Sequence, residues 1–132
     1  MTPFLFVYGT LLPNSEGKLG LRQRNRLRGE SSFLGPAHTA GVLLDLGDYP
    51  GLMHGAETVH GGVFRLHDTG TTLPWLDTYE CLTGSERDEY VRRQVEVTLA
   101  DGQSLTAWTY VFIGNSHGLC KITSGRWQHR SA

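Results

Sequence analysis

No stretch of this sequence holds eighteen consecutive apolar residues, so none reads as a membrane-spanning helix. No basic, cleavable leader precedes the apolar stretch that starts at Phe4, which points to the cytoplasm. Cysteine is scarce. Cys81 and Cys120 sit in unrelated contexts without CxxC spacing, and in a reducing compartment they read as free thiols. Charge of one sign is equally short: 12 Lys and Arg against 13 Asp and Glu give −1, so no global field recruits nucleic acid or an anionic membrane. The six histidines, at 38, 54, 60, 67, 117 and 129, show no HxH or HxxxH spacing, and a metal site has no support. GxSxG, GxxxxGK(S/T) and GxGxxG are missing, which removes the hydrolase elbow, the phosphate loop and the dinucleotide fingerprint.

Glycine, by contrast, is abundant. Seventeen glycines in 132 residues favour tight turns and short strands over a helical bundle. With 39% hydrophobic and 19% charged residues, the composition is that of one soluble globular domain over 1–132, large enough for a real core.

Phe4 to Leu12 reads as a buried strand running into Tyr8-Gly9-Thr10-Leu11. A strand that ends in glycine lets backbone come close to a ligand, and the amides that follow can form a nest for a carboxylate or carbonyl oxygen. Pro13 to Gly20 is a polar loop. Leu19 to Leu27, with Arg22, Arg24, Arg26 and Arg28, predicts a short exposed helix with Gly29 near its C-terminus. Its arginines read as a solvated face, because no aromatics are interleaved to stack on bases.

Ser32 to Leu46 holds two apolar pieces, successive strands or one bent strand. Gly47-Asp48-Tyr49-Pro50-Gly51 predicts a turn, a second turn region follows over His54 to His60, and Gly62 to Leu66 predicts another strand. Leu73, Leu76 and Tyr79 repeat at helical spacing, with Thr71 or Thr72 as a cap and Pro74 in the first turn. Tyr90 to Leu99 alternates strictly, Asp101-Gly102 is a hairpin turn, and Ser104 to Ile113 returns through Trp108, Tyr110 and Phe112.

Glu80 closes the predicted helix. Glutamates at helix ends are usually solvated, but Tyr79, Cys81, Leu76 and Leu82 give this one a partly apolar setting. Such a setting disfavours the charged form and raises the pKa, and a glutamate tuned toward roughly 6–7 exchanges protons near neutral pH. Tyr90, where the polar 83–89 loop rejoins the strands, is either a pocket wall or an ordinary strand aromatic.

Tyr8-Gly9-Thr10-Leu11, Tyr49-Pro50-Gly51, Leu76-Asp77-Thr78-Tyr79-Glu80 and Tyr90-Val91-Arg92-Arg93 with its aromatic hairpin resemble the γ-glutamylcyclotransferase-like (AIG2-like) family. Order and spacing match from Phe4 to about Trp127, and the chain looks closest to the short γ-glutamylamine cyclotransferase branch. The resemblance implies a small mixed β-barrel with short flanking helices around a central cavity. It further implies substrate binding by the loop of Tyr8, Gly9, Thr10 and Leu11, with Glu80 as acid/base, and Tyr49 and Tyr90 join them as candidate substrate-binding residues. No metal or organic cofactor is implied, and the partner is a small γ-glutamyl compound, not nucleic acid or membrane. The arginine-rich insertion between Leu11 and Phe33 lies outside the motifs, where it could reshape the cavity mouth.

Two competing expectations remain. One is a non-catalytic small-ligand binding module on the same barrel, since fold does not fix function. The other is an interaction domain using Arg22 to Arg28, which the balanced charge disfavours.

Overall fold

The computed structural model describes residues 2–9, 11–12, 20–47, 49–82, 84 and 88–127. Among them are strands β1 (Phe4–Val7), β2 (Ser31–Asp45), β3 (Pro50–Leu66), β4 (Tyr90–Leu99), β5 (Ser104–Phe112) and β6 (Cys120–Lys121). Helix α1 (Leu21–Glu30) lies between β1 and β2, and α2 (Thr69–Tyr79) between β3 and β4. Among these residues no helix is long and apolar enough to cross a membrane.

Five strands close into a barrel. β1 pairs antiparallel with β3, β3 with β2, β2 with β4 and β4 with β5, and the ring closes through a parallel contact at Leu5 and Trp108. β6 adds to the end of β2. The mixed barrel expected from the resemblance is therefore present, and the alternation in Tyr90–Leu99 and Ser104–Phe112 forms the expected hairpin, from Tyr90 opposite Phe112 to Thr98 opposite Ser104.

β1 is apolar throughout because both its faces are covered. Phe6 and Tyr8 join Val59, Val63, Val97 and Ala107 in a cluster drawn mainly from the strands, which fills the barrel. Leu5 and Val7, on the alternate face, meet Leu27 of α1 and Leu73 and Leu76 of α2. Leu27 and Leu76 are completely buried, each stabilising by about 1.5–3 kcal/mol. β3 reaches β1 at Gly61, where a Cβ would stand 2.2 Å from the Val7 carbonyl oxygen, so only glycine permits the approach.

One open alternative is settled, and two local expectations change. The two apolar pieces between Ser32 and Leu46 form one strand, kinked by register shifts at Phe33/Gly35 and Gly41/Val42. His54 to His60 is not a turn but part of β3; residues 54–56 bulge, and Glu57 to His60 still pair with Gly41 back to His38. Fully buried Val59 holds that segment in the ladder, overriding the weak strand propensity of its glycine and alanine neighbours. The turn before it is tighter than expected: Leu46 N donates to Tyr49 O at 3.1 Å, leaving Pro50 and Gly51 inside β3. Asp48 lies outside the described residues.

The helices differ as well. α2 begins three residues early because Asp68, not Thr71 or Thr72, caps it: its carboxylate accepts from Gly70 N at 2.9 Å and from Thr71 Oγ1 at 3.0 Å. Pro74 consequently sits inside the helix, not in its first turn. α1 is not a wholly solvated face, since Arg24 is buried with Leu27. Arg26 donates to Glu30 at 2.9 Å and lies 4.7 Å over the Trp75 ring. Glu30 also accepts from Thr72 Oγ1 at 2.7 Å and Trp75 Nε1 at 2.9 Å, fastening α1 to α2.

Candidate active site

A cavity of about 370 Å³ opens where β1 ends, walled by that strand end, the start of β3, the C-terminus of α2 and the β4–β5 hairpin. This is near the small end of the range for ligand pockets and suits a compact metabolite. Although far apart in the chain, Tyr8, Gly9 and Leu11 face the same space as Tyr49, Glu80 and Tyr90. Every site residue expected from the sequence is among the lining groups except Thr10, which lies outside the described residues.

The first wall is a turn. Leu12 N donates to Gly9 O at 3.1 Å, folding the chain back as it leaves β1, and buried Leu11 anchors the turn in the core shared with α1 and α2. A Cβ on Gly9 would press to 3.1 Å from the Pro50 ring. The glycine thus lets the turn sit close against the start of β3.

The second wall is the end of α2. Leu82 N donates to Asp77 O at 2.9 Å and Cys81 N to Thr78 O at 3.0 Å, a Schellman termination. It requires a left-handed residue after the last helical one, and Cys81 takes that place at φ 60 without the glycine that normally does. The chain reverses there, and Glu80 is left at the cavity. Among the described residues, no hydrogen bond or ion pair reaches its carboxylate, and none of those lining the cavity is Lys, Arg or His. Burial raises the Glu80 carboxyl to about 7.

The tyrosines brace the site. Tyr8 OH donates to Tyr110 O at 2.5 Å and accepts from Leu52 N at 3.1 Å, while Tyr90 OH donates to Pro50 O at 2.8 Å. Their rings wall the cavity with their donor protons already used. Burial, with the Glu80 charge adding, pushes Tyr8, Tyr90 and Tyr110 above the ordinary phenol value, so they stay neutral. Tyr49 is half-exposed at the rim, its ring 6.4 Å from that of Tyr90. The arginine-rich helix contributes nothing to the described lining, so it does not shape this wall.

Sequence reasoning missed Asp77, Arg92 and Tyr110 as a unit. Arg92 Nε and Nη2 reach the Asp77 carboxylate at 2.9 and 3.3 Å, and Tyr110 OH donates to it at 2.7 Å. The signal was present: a hairpin pivoting on Asp101-Gly102 puts Arg92 opposite Tyr110, and Asp77 precedes Glu80 by one helical turn.

Comparison with known proteins gives a concordant result. The family model described as "Gamma-glutamyl cyclotransferase, AIG2-like" matches residues 5–129. The gamma-glutamylcyclotransferase family protein ytfP of Citrobacter rodentium is 33% identical over 126 residues, covering 96% of each chain. The solution structure of protein ytfP from Escherichia coli superposes with a TM-score of 0.64 at 33% identity, covering 94% of this chain and 95% of that one. An AIG2-like protein from Mus musculus shares the fold at a TM-score of 0.70 and 18% identity, covering 98% and 97% of the two chains.

Proposed function

The chain belongs to the AIG2-like gamma-glutamyl cyclotransferase family, and from that premise we propose that it cyclises a small γ-glutamyl amine or γ-glutamyl amino acid to 5-oxoproline, with Glu80 as general acid and base. One observation carries the reading: a carboxylate without a hydrogen-bond or ionic partner among the described residues, raised to about 7, shares a cavity with the Gly9–Leu11 turn. The family name supplies the reaction class, and the site supplies a group suited to its proton transfers.

In the reaction the substrate's α-amine attacks its own side-chain carbonyl carbon. A C–N bond forms to close a five-membered lactam, and the original amide C–N bond breaks to release the amine. Nucleophile and electrophile belong to one molecule, so the protein's main task is to hold a folded near-attack conformer; well-oriented intramolecular attack is worth about 7–11 kcal/mol. The ionised Glu80 takes a proton from the α-ammonium, freeing the lone pair. It returns that proton to the leaving nitrogen as the tetrahedral centre collapses, and the second proton shed by the ring nitrogen leaves with the released amine as its ammonium. A pKa close to the working pH suits both steps. With no cation among the described lining residues, recognition of the α-carboxylate and of the oxyanion falls to backbone amides of the Gly9–Leu11 turn. The step needs no redox change and no transferred cofactor group.

The test is direct. Purified protein is incubated with γ-glutamyl-n-butylamine and with γ-glutamylalanine, and 5-oxoproline is measured by mass spectrometry. Release from either supports the cyclotransferase. Calorimetric binding of these compounds without release would favour the ligand-binding module instead.

A further inference from the structure

Glu80 is carried by the C-terminal end of α2. That end is fixed at Asp77. Its carbonyl oxygen accepts Leu82 N at 2.9 Å from beyond the reversal, and its carboxylate accepts the forked Arg92 pair and the Tyr110 hydroxyl. Glu80 lies inside the turn that the bond from Leu82 N to Asp77 O closes. Arg92 is itself braced, with its guanidinium 4.5 Å from the centre of the Trp108 ring. Tyr110 works in both directions: its hydroxyl holds Asp77, and its carbonyl holds the Tyr8 hydroxyl, one residue before Gly9.

We propose that Asp77, Arg92 and Tyr110 are positioning residues for the cyclisation, tying the Glu80 helix end to the Gly9 turn and fixing the charge that Glu80 experiences. The inference rests on the reading of Glu80 as the acid/base. Asp77 and Arg92 are only about a quarter exposed, so their charges act on the cavity with little screening, and as a pair they cancel. Removing either member leaves the other's charge uncompensated at the helix end that carries Glu80. Loss of the Asp77 charge stabilises ionised Glu80, whereas loss of the Arg92 charge destabilises it. The two single variants must therefore shift Glu80 in opposite directions. Among the described residues, the other titratable groups lining the Glu80 cavity are Tyr8 just after β1, Tyr90 of β4, Tyr110 of β5, Tyr49, Tyr79, Cys81 and the carboxylates Asp88 and Glu89. They are common to the variants compared, so they produce no opposed shift.

The experiment is a carbon-detected NMR titration of the Glu80 carboxyl in the full chain, with the resonance assigned by its loss in Glu80→Gln. The wild type should titrate near the value that burial imposes, with Asp77→Asn lower and Arg92→Gln higher, each by about 0.5–1 in pH. Arg92→Lys keeps the charge but loses the fork. It should titrate like the wild type while kcat for 5-oxoproline release from whichever of the two γ-glutamyl compounds is turned over falls about tenfold at nearly constant KM. Tyr110→Phe should behave the same way. Where Asp77→Asn or Arg92→Gln fails to fold, the two milder variants decide, and unchanged kcat in both overturns the proposal. Coincident titrations of Asp77→Asn and Arg92→Gln, or shifts of one sign, also overturn it. Failure of the parent reading looks different: Glu80→Gln would go on releasing 5-oxoproline whatever the titrations show.

Discussion

Glu80→Gln should make the protein more stable at alkaline pH, and the size of the gain follows from the cavity. Burial raises the Glu80 carboxyl from 4.5 to about 7. At about 1.4 kcal/mol per tenfold change in proton affinity, ionising it in the folded chain costs up to about 3 kcal/mol more than in the unfolded chain. The sign follows from proton counting. Below pH 4.5 both states hold the proton and no penalty applies. Between 4.5 and about 7 the unfolded chain releases it while the folded chain keeps it, so stability falls as pH rises. Above about 7 the whole penalty is present. Glutamine has the same shape and no ionisation, so the variant escapes the loss. Urea unfolding at pH 4 should then give wild type and variant within about 0.5 kcal/mol, whereas at pH 8.5 the variant should lead by about 2–3 kcal/mol. An equal difference at both pH values would refute the reasoning, because the effect would then be one of shape or packing. A lower stability of the variant at pH 8.5 would mean that the ionised carboxylate is held by a partner.

Two further outcomes follow from the helices. Cys81→Gly relieves a side chain in the left-handed region and should add about 0.5–1 kcal/mol in thermal or urea unfolding, with 5-oxoproline release unchanged; loss of activity would give the thiol a chemical role. Glu30→Gln weakens the junction of α1 with α2 and should cost about 1–2 kcal/mol at pH 7. Burial opposes ionisation of Glu30, but hydrogen bonds from Trp75, Thr72 and Arg26 hold its carboxyl below the ordinary value. Its contribution should therefore be present above about pH 4.5 and fade as pH falls further. A loss independent of pH would refute the ionic part.

Much of this was legible in the sequence where a local rule and a tertiary demand agreed. The strict alternation from Tyr90 to Leu99, with a turn pair at Asp101-Gly102, fixed both the hairpin and its register. The apolar strand before Gly9 is present as β1, and its end lines the cavity. Glu80 was marked by its apolar company, and the structure puts it at the same cavity as Tyr8, Gly9, Leu11, Tyr49 and Tyr90. The misreadings arose where tertiary packing overrode local chemistry. His54 to His60 looks like a turn, yet Val59 is needed inside the barrel. The arginine run looks solvated, yet Arg24 is buried and Arg26 and Glu30 are committed to α2. Asp68 was passed over as a cap because the apolar repeat only begins at Leu73, although Asp is among the strongest capping residues. Asp77 and Arg92 could be joined only by combining helical spacing with hairpin register.

The most direct test of the central claim is the pH–rate profile of 5-oxoproline release by wild type and Glu80→Gln, using whichever γ-glutamyl compound is turned over. The wild-type rate should fall on the acid side with an apparent pKa near the raised value of about 7, not at the ordinary carboxyl value near 4.5. Glu80→Gln should lose about 10²–10⁴-fold in kcat with KM little changed, because substrate binding belongs to the Gly9 turn and the tyrosine walls. A folded Glu80→Gln protein that keeps the wild-type rate would contradict the account.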